Sequence, residues 1–184
     1  MNESLIPSFK RYSDGSVKYG YVDKNNNVVI PYIYEFALPF TCGLAGVRNY
    51  KTHLVGFINK RGEKIVDFQY DYVHPFNAGK SWTCRNGMWG LIDKTGEIII
   101  PFKYLKTNGI KNGLSIVQNT DSKWGVINLG DEVVLPFNYN WLLSEDNSVF
   151  RALVRDKWID IDRNGNTKKI MIEINANSWY NYNR

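Results

Sequence analysis

Several residues in this chain have the types and spacing of a chemical site. Asp160-Ile161-Asp162-Arg163-Asn164-Gly165 matches the D-x-D-x-N-G opening of a calcium-binding loop. Such a loop closes its coordination shell with a bidentate glutamate at the twelfth position, and Met171 stands there instead. The same six residues make a tight turn, because an Asp or Asn side chain accepts from backbone N–H groups ahead of it and Gly tolerates positive φ. The turn is therefore the expected role. Asp23, Asn59, Asp93, Asn128 and Asp162 form a second set at regular intervals. Two amides among five argue against acid–base or metal work, since an amide does not transfer protons as a carboxylate does. Cys42, Cys84, His53 and His74 supply the thiols and imidazoles. They show no C-x-x-C or H-x-x-x-H spacing, and no third group is placed to orient a histidine against a cysteine nucleophile. Phosphate-cradling and nucleophile-elbow motifs are absent. The expectation is no catalytic residue, no metal and no cofactor.

The remaining candidates suit binding. Trp89, Trp124 and Trp158, with Tyr19 before them, recur at one position and are read as shared core, because buried aromatics dominate packing in β units. Trp82, Trp141, Trp179 and Tyr180 fall outside that column and are the better candidates for a contact surface. Trp179 and Tyr180 lie in the terminal segment NANSWYNYNR, which is expected to cap the last repeat or project as a tail. Lys10, Arg11, Lys18, Arg48, Lys51, Lys60, Arg61 and Lys64 give a basic N-terminal lean. Of these, Arg48, Lys51, Lys60 and Arg61 complete the candidate surface, as basic residues expected mostly in exposed turns.

The elements that must position these residues are repeats. With Gly20, Gly56, Gly90 and Gly125 as origins, the copies lie 36, 34 and 35 residues apart, and Ile159 marks a fifth copy 34 further on. The turn residues just named lie three positions after each origin. Pro31, Asp67, Pro101 and Pro136 lie eleven after it, and Tyr34, Tyr70, Tyr104 and Tyr139 fourteen after. Phe40, Phe76 and Ile110 lie twenty after, and Gly43, Gly79 and Gly113 twenty-three. Each origin sits in an alternating segment such as Trp89-Gly90-Leu91-Ile92-Asp93, the pattern of a half-buried strand. A turn follows, then a β-branched strand such as Glu97-Ile98-Ile99-Ile100. Proline is expected to end that strand, since it cannot donate to a ladder. A further strand, for example Leu114-Ser115-Ile116-Val117, leads into the next core. Each repeat thus reads as about three short antiparallel strands and an irregular link, in which Tyr and Phe fill the joint between neighbours.

Composition agrees with that reading. The chain has 184 residues, 43% hydrophobic and 22% charged, with six Trp and twelve Tyr, a content suited to pleated surfaces. The net charge of +5 divides as +4 over residues 1–64, +2 over 65–124 and −1 over 125–184. This lean permits an acidic partner or nucleic acid, but acids are interleaved throughout. No apolar leader or bilayer-length apolar run is seen, so a cytoplasmic setting with no membrane contact is expected.

SKWGVINLGDEVVLPFNY, NGMWGLIDKTGEIIIPFKY and LVGFINKRGEKIVDFQY resemble the WG-repeat family, also called KWG repeats. The resemblance covers roughly residues 17–166. It departs where Tyr19 and Val55 replace Trp, Asp67 replaces Pro and Ile159 replaces Gly. It implies an all-β repeat scaffold for binding macromolecules, without a shared catalytic activity. The expected fold is an open, twisted array of five repeats of about 35 residues, with a closed propeller- or barrel-like arrangement as the alternative. Residues 1–169 are expected to form one repeat domain and 170–184 a last strand and an aromatic cap or tail. The expected function is a non-enzymatic module that binds another protein, as an inhibitor, immunity or accessory protein of a bacterial effector or defence system. Nucleic-acid binding through the basic N-terminal face is the alternative.

Overall fold

A computed structural model describes residues 5–144, 149–154 and 157–171. Over those residues the chain is a succession of strands joined by tight turns, and it divides into two compact units, Met1–Lys103 and Tyr104–Arg184. The first sheet holds β1 (Ile6–Arg11), β2 (Val17–Val22), β3 (Val28–Ala37), β4 (Leu44–Asn49), β5 (Val55–Asn59) and β6 (Lys64–Tyr70) in chain order. The second holds β7 (Tyr72–Val73), β8 (Lys80–Arg85), β9 (Met88–Asp93) and β10 (Ile98–Tyr104). The third holds β11 (Lys106–Lys111), β12 (Leu114–Gln118), β13 (Trp124–Asn128) and β14 (Val133–Tyr139). The fourth holds β15 (Trp141–Leu143), β16 (Val149–Val154), β17 (Lys157–Asp162) and β18 (Thr167–Met171). Among the described residues, no sheet closes into a barrel.

Each of the first four repeats therefore contributes four strands rather than three, and the fifth contributes β17 and β18 among the described residues. The extra strand lies in the link that read as irregular: β7, β11 and β15, and the far end of β3, where Phe36 and Ala37 pair with Arg48 and Val47. Turn chemistry explains why the link can pair. Cys42-Gly43, Ala78-Gly79 and Asn112-Gly113 all have two consecutive positive φ values, the type I′ hairpin geometry. Sheets and sequence copies are also out of phase. In the second sheet β7 and β8 come from the copy centred on Gly56, whereas β9 and β10 come from the next.

The origin glycine has a steric cause. Tyr19 pairs with Tyr34 and Tyr21 with Ile30, so Gly20 on β2 faces three residues of β3, a bulge of two extra residues. The same shift occurs across Val55 and Phe57, and across Trp124 and Val126. A Cβ on Gly20 would lie 2.4 Å from the Ile30 carbonyl oxygen, and one on Gly90 would lie 2.8 Å from that of Ile100 and 3.0 Å from the Phe102 ring. Pro31 and Pro136 sit in these bulges, where no ladder donor is required, and Pro101 holds the same offset inside β10. The expectation that proline ends the strand is thus corrected: each strand runs past it to the tyrosine. In the fifth copy, Ile159 pairs in plain register with Ile170, so the shift across the origin is lost; the second shift, which the first copy shows between Tyr21 and Val22, is kept between Asp160 and Ile161.

Within the first unit, Tyr21, Ile30 and Tyr34 of the first copy share a core with Ile58 of the second. Phe57, Val66 and Tyr70 likewise share one with Ile92. In the second unit, Leu135 and Tyr139 share a core with Ile161. The turn glycine of one copy rests against the strand of the copy before: Gly96 against Val66, and Gly165 against Leu135. The link aromatics pack as expected, with Tyr34, Tyr70, Tyr104 and Tyr139 buried and Phe76 meeting Phe57 edge-on at 4.7 Å.

Candidate functional site

The turn residues are held by the backbone. Asp162 Oδ1 accepts from the N–H groups of Asn164 (2.9 Å) and Asn166 (3.0 Å), while Asp160 binds Arg151 Nε at 2.9 Å. Asn128 Oδ1 accepts equally from Gly130 (2.9 Å) and Glu132 (3.0 Å), which shows why Asp and Asn interchange. Among the described residues, no cluster of His, Cys, Asp and Glu is arranged to hold a metal. Burial pushes the Cys84 thiol up, with Asp71 adding to the effect, which is the reverse of what an activated nucleophile needs. Burial also holds His74 below the ordinary histidine value, and its ring lies 4.9 Å from that of Trp89.

The expected surface residues part company. Trp82 is fully buried and belongs to the core, so it offers no contact surface. Its position is Gly46 in the preceding copy, where a Cβ would meet Val73 and Leu38, so the indole fills space that the earlier copy fills with neighbouring side chains. Trp141 is 38% exposed on β15, with its ring 5.7 Å from Trp124. Arg48 lies on β4: its Nη2 donates to the Asp71 carbonyl (3.2 Å) and its guanidinium stands over the Tyr72 ring at 5.6 Å. Lys51 and Arg61 are exposed in turns, Arg61 paired with Glu63 at 2.8 Å, and Lys60 is half-buried. Trp179 and Tyr180 lie outside the described residues. The tryptophan column is not uniformly core. Trp124 is buried, but Trp89, Trp158 and Tyr19 are half-buried.

Trp141 belongs to a column that the sequence reading passed over. Sixteen residues after the origins stand Phe36, Tyr72, Lys106 and Trp141. Phe36 is 42% exposed and Tyr72 60%. The column falls on the link strands, which were read as irregular, so its alternation carried no meaning until they were seen to pair. In the first unit it joins other rings: Phe9 lies 5.9 Å from Tyr19, and Tyr19 lies 6.2 Å from Phe36.

The first unit also holds a cleft of about 380 Å³, built from the first two copies. Ile33, Tyr34, Ile58 and Phe68 supply apolar wall, and Asn49 and Tyr50 supply polar groups. Lys18 comes from β2, Lys51 from the turn after β4 and Lys64 from the start of β6. The Lys18 ammonium stands 5.0 Å from the Tyr50 ring centre and 5.3 Å from that of Tyr12. Three cations over an apolar floor can hold an anionic group joined to an apolar one. The lining residues include no carboxylate, imidazole or thiol that could relay a proton or attack a substrate.

The family described as WG containing repeat matches this chain four times, over residues 19–51, 56–89, 89–124 and 124–158. A comparison with curated proteins gives no match. Among solved structures, Kluyveromyces lactis Hsv2 is similar with a TM-score of 0.53 at 10% identity, over 92% of this chain and 64% of that one. The WD40 β-propeller domain of Doa1 gives 0.47 at 12% identity, over 91% and 64%. BamB from Moraxella catarrhalis gives 0.48 at 9%, over 93% and 62%. The chain thus covers less than two thirds of each of these structures. At 10% identity, the Hsv2 likeness is one of fold alone.

Proposed function

We propose that this chain, which belongs to the WG-repeat family, is a non-enzymatic module that binds another protein. The observation that carries the reading is the exposed aromatic column Phe36, Tyr72 and Trp141 on the link strands. Aromatic rings held on strands, outside the core and recurring with the repeat, have the size and rigidity of interface anchors. Phe9 and the Arg48–Tyr72 stack extend this set in the first unit. Favouring protein over nucleic acid, basic groups nearby are matched locally: Arg61 by Glu63 and Arg48 by a carbonyl. In its finer form the module is an inhibitor, immunity or accessory protein that acts through this contact.

The test is co-purification with the tagged full chain, followed by size exclusion with mass measurement. A stoichiometric protein partner that is lost on Phe36→Ser/Tyr72→Ser/Trp141→Ser substitution is the expected result. A native lysate that yields none, or a partner indifferent to those changes, sinks the reading.

A further inference from the structure

We infer that the cleft between the first two copies is a receptor for an acidic peptide segment, an apolar side chain flanked by Asp or Glu. This rests on the protein-binding reading and names the chemistry of one contact within it.

The cleft opens beside exposed residues on several elements, Ile33, Tyr50, Lys51 and Lys64 among them. Its volume suits one or two amino-acid side chains. Ile33, Ile58 and Phe68 make a floor that favours an aliphatic or aromatic side chain, through the removal of apolar surface from water. Lys18, Lys51 and Lys64 reach the cleft from three different elements. Carboxylates before and after the apolar residue would therefore each meet a cation, and a basic or neutral segment would not be matched. Carboxylates of this chain on nearby strands and turns are already engaged: Asp67 by Lys64, Glu63 by Arg61 and Glu35 by His53, at 2.6 Å. The Lys64–Asp67 pair is exposed and three residues apart, a weak arrangement that an incoming carboxylate can share or replace. A nucleobase is the poorer occupant. It needs an open ring face to stack on, and the Tyr50 ring already carries the Lys18 ammonium, Tyr34 is buried and Phe68 is half-buried.

The experiment is fluorescence anisotropy on the full chain with a short labelled peptide alternating Glu and Leu. The same peptide with Gln for Glu, and single-stranded oligothymidylate, serve as comparison probes. The acidic peptide is expected to bind about tenfold more tightly than its Gln counterpart, the scale of three exposed ion pairs. That preference should shrink as salt is raised. Lys18→Gln/Lys51→Gln/Lys64→Gln should abolish the preference, while the matching triple Arg variant retains it and shows that the cleft is intact. Equal affinity for the two peptides overturns the proposal. So does an unchanged preference in the Gln variant, and so does tighter binding of the oligonucleotide that is lost with the same lysines. A co-purified partner that ignores the lysines but is lost with Phe36, Tyr72 and Trp141 sinks the cleft alone. Failure to find any partner sinks the wider reading, and the peptide titration still reads the cleft directly.

Discussion

At the scale of single residues, a glycine can be required for two separable reasons. Gly90 has no room for a Cβ, because the Ile100 carbonyl and the Phe102 ring close over it. Gly113 has open space but a φ of +74°. Gly90→Ala should cost about 1–3 kcal/mol, as overpacking does, while Gly113→Ala should cost about 1 kcal/mol or slightly more from backbone strain. Urea denaturation of the two variants side by side reads both costs, and a Gly90→Ala cost below about 1 kcal/mol would contradict the steric account. His74 gives a second residue-scale expectation. Burial favours its neutral ring in the fold, so the unfolded chain takes up the proton first as pH drops below the ordinary 6.5. Its stability contribution is whole above that pH and is lost as pH falls through the lowered folded-state value. Melting temperatures measured from pH 7 to pH 5 should show a decline that His74→Phe diminishes. The Asp93 carboxylate, held low by Thr95 and by turn N–H groups, acts only in a more acidic window below 3.8. Identity of residue type was legible in the sequence here: the Asp/Asn turns needed only their offsets. The fate of Trp82 was not legible, because whether an off-pattern indole is core or surface depends on what faces it.

At the scale of elements, the copies interlock through turns. In the fourth copy the positive-φ turn position is Asp131 (φ 70°), where its sister copies carry glycine or asparagine. The substitution has a local compensation: the Tyr104 hydroxyl donates to Asp131 Oδ1 at 2.6 Å. Burial, and then that contact, push the Tyr104 phenol upward, which keeps it a donor. Tyr104→Phe should cost about 1–2 kcal/mol alone, but close to nothing in an Asp131→Gly background, where the glycine also relieves the backbone. A double-mutant cycle reads the coupling directly, and additivity of the two changes would refute it. The fourth strand of each repeat was the element hidden in the sequence. A two- or three-residue strand such as Tyr72–Val73 is too short to show a period, and its pairing depends on a type I′ turn formed by residues as unlike as Cys42, Ala78 and Asn112. Strand existence around each glycine was plain, because alternation, turn and repeat all agreed. Proline misled at the ends: a bulge has no use for a donor, so the strand carries on through it.

At the scale of the whole molecule, the exposed aromatic column should matter to partners and little to folding. Phe36→Ser and Tyr72→Ser remove rings that are 42% and 60% exposed, so each should change unfolding free energy by about 1 kcal/mol or less, while Trp141→Ser, at 38% exposure and packed on Trp124, should cost about 1–2 kcal/mol. A cooperative loss of folding in any one of them, seen by circular dichroism, would recast that ring as core. Family and repeat length were readable from offsets alone, whereas the cleft was not: Lys18, Lys51 and Lys64 are far apart in sequence and meet only when two copies stack. The phase difference between sequence copy and sheet has one more consequence, for inheritance. A copy running from tryptophan to tryptophan supplies two strands to one sheet and two to the next. Unequal recombination that inserts or deletes one period therefore adds or removes the equivalent of one entire sheet, wherever its breakpoints fall. Such a gene can change the length of its product in whole structural steps, with no requirement that the DNA break at a domain boundary.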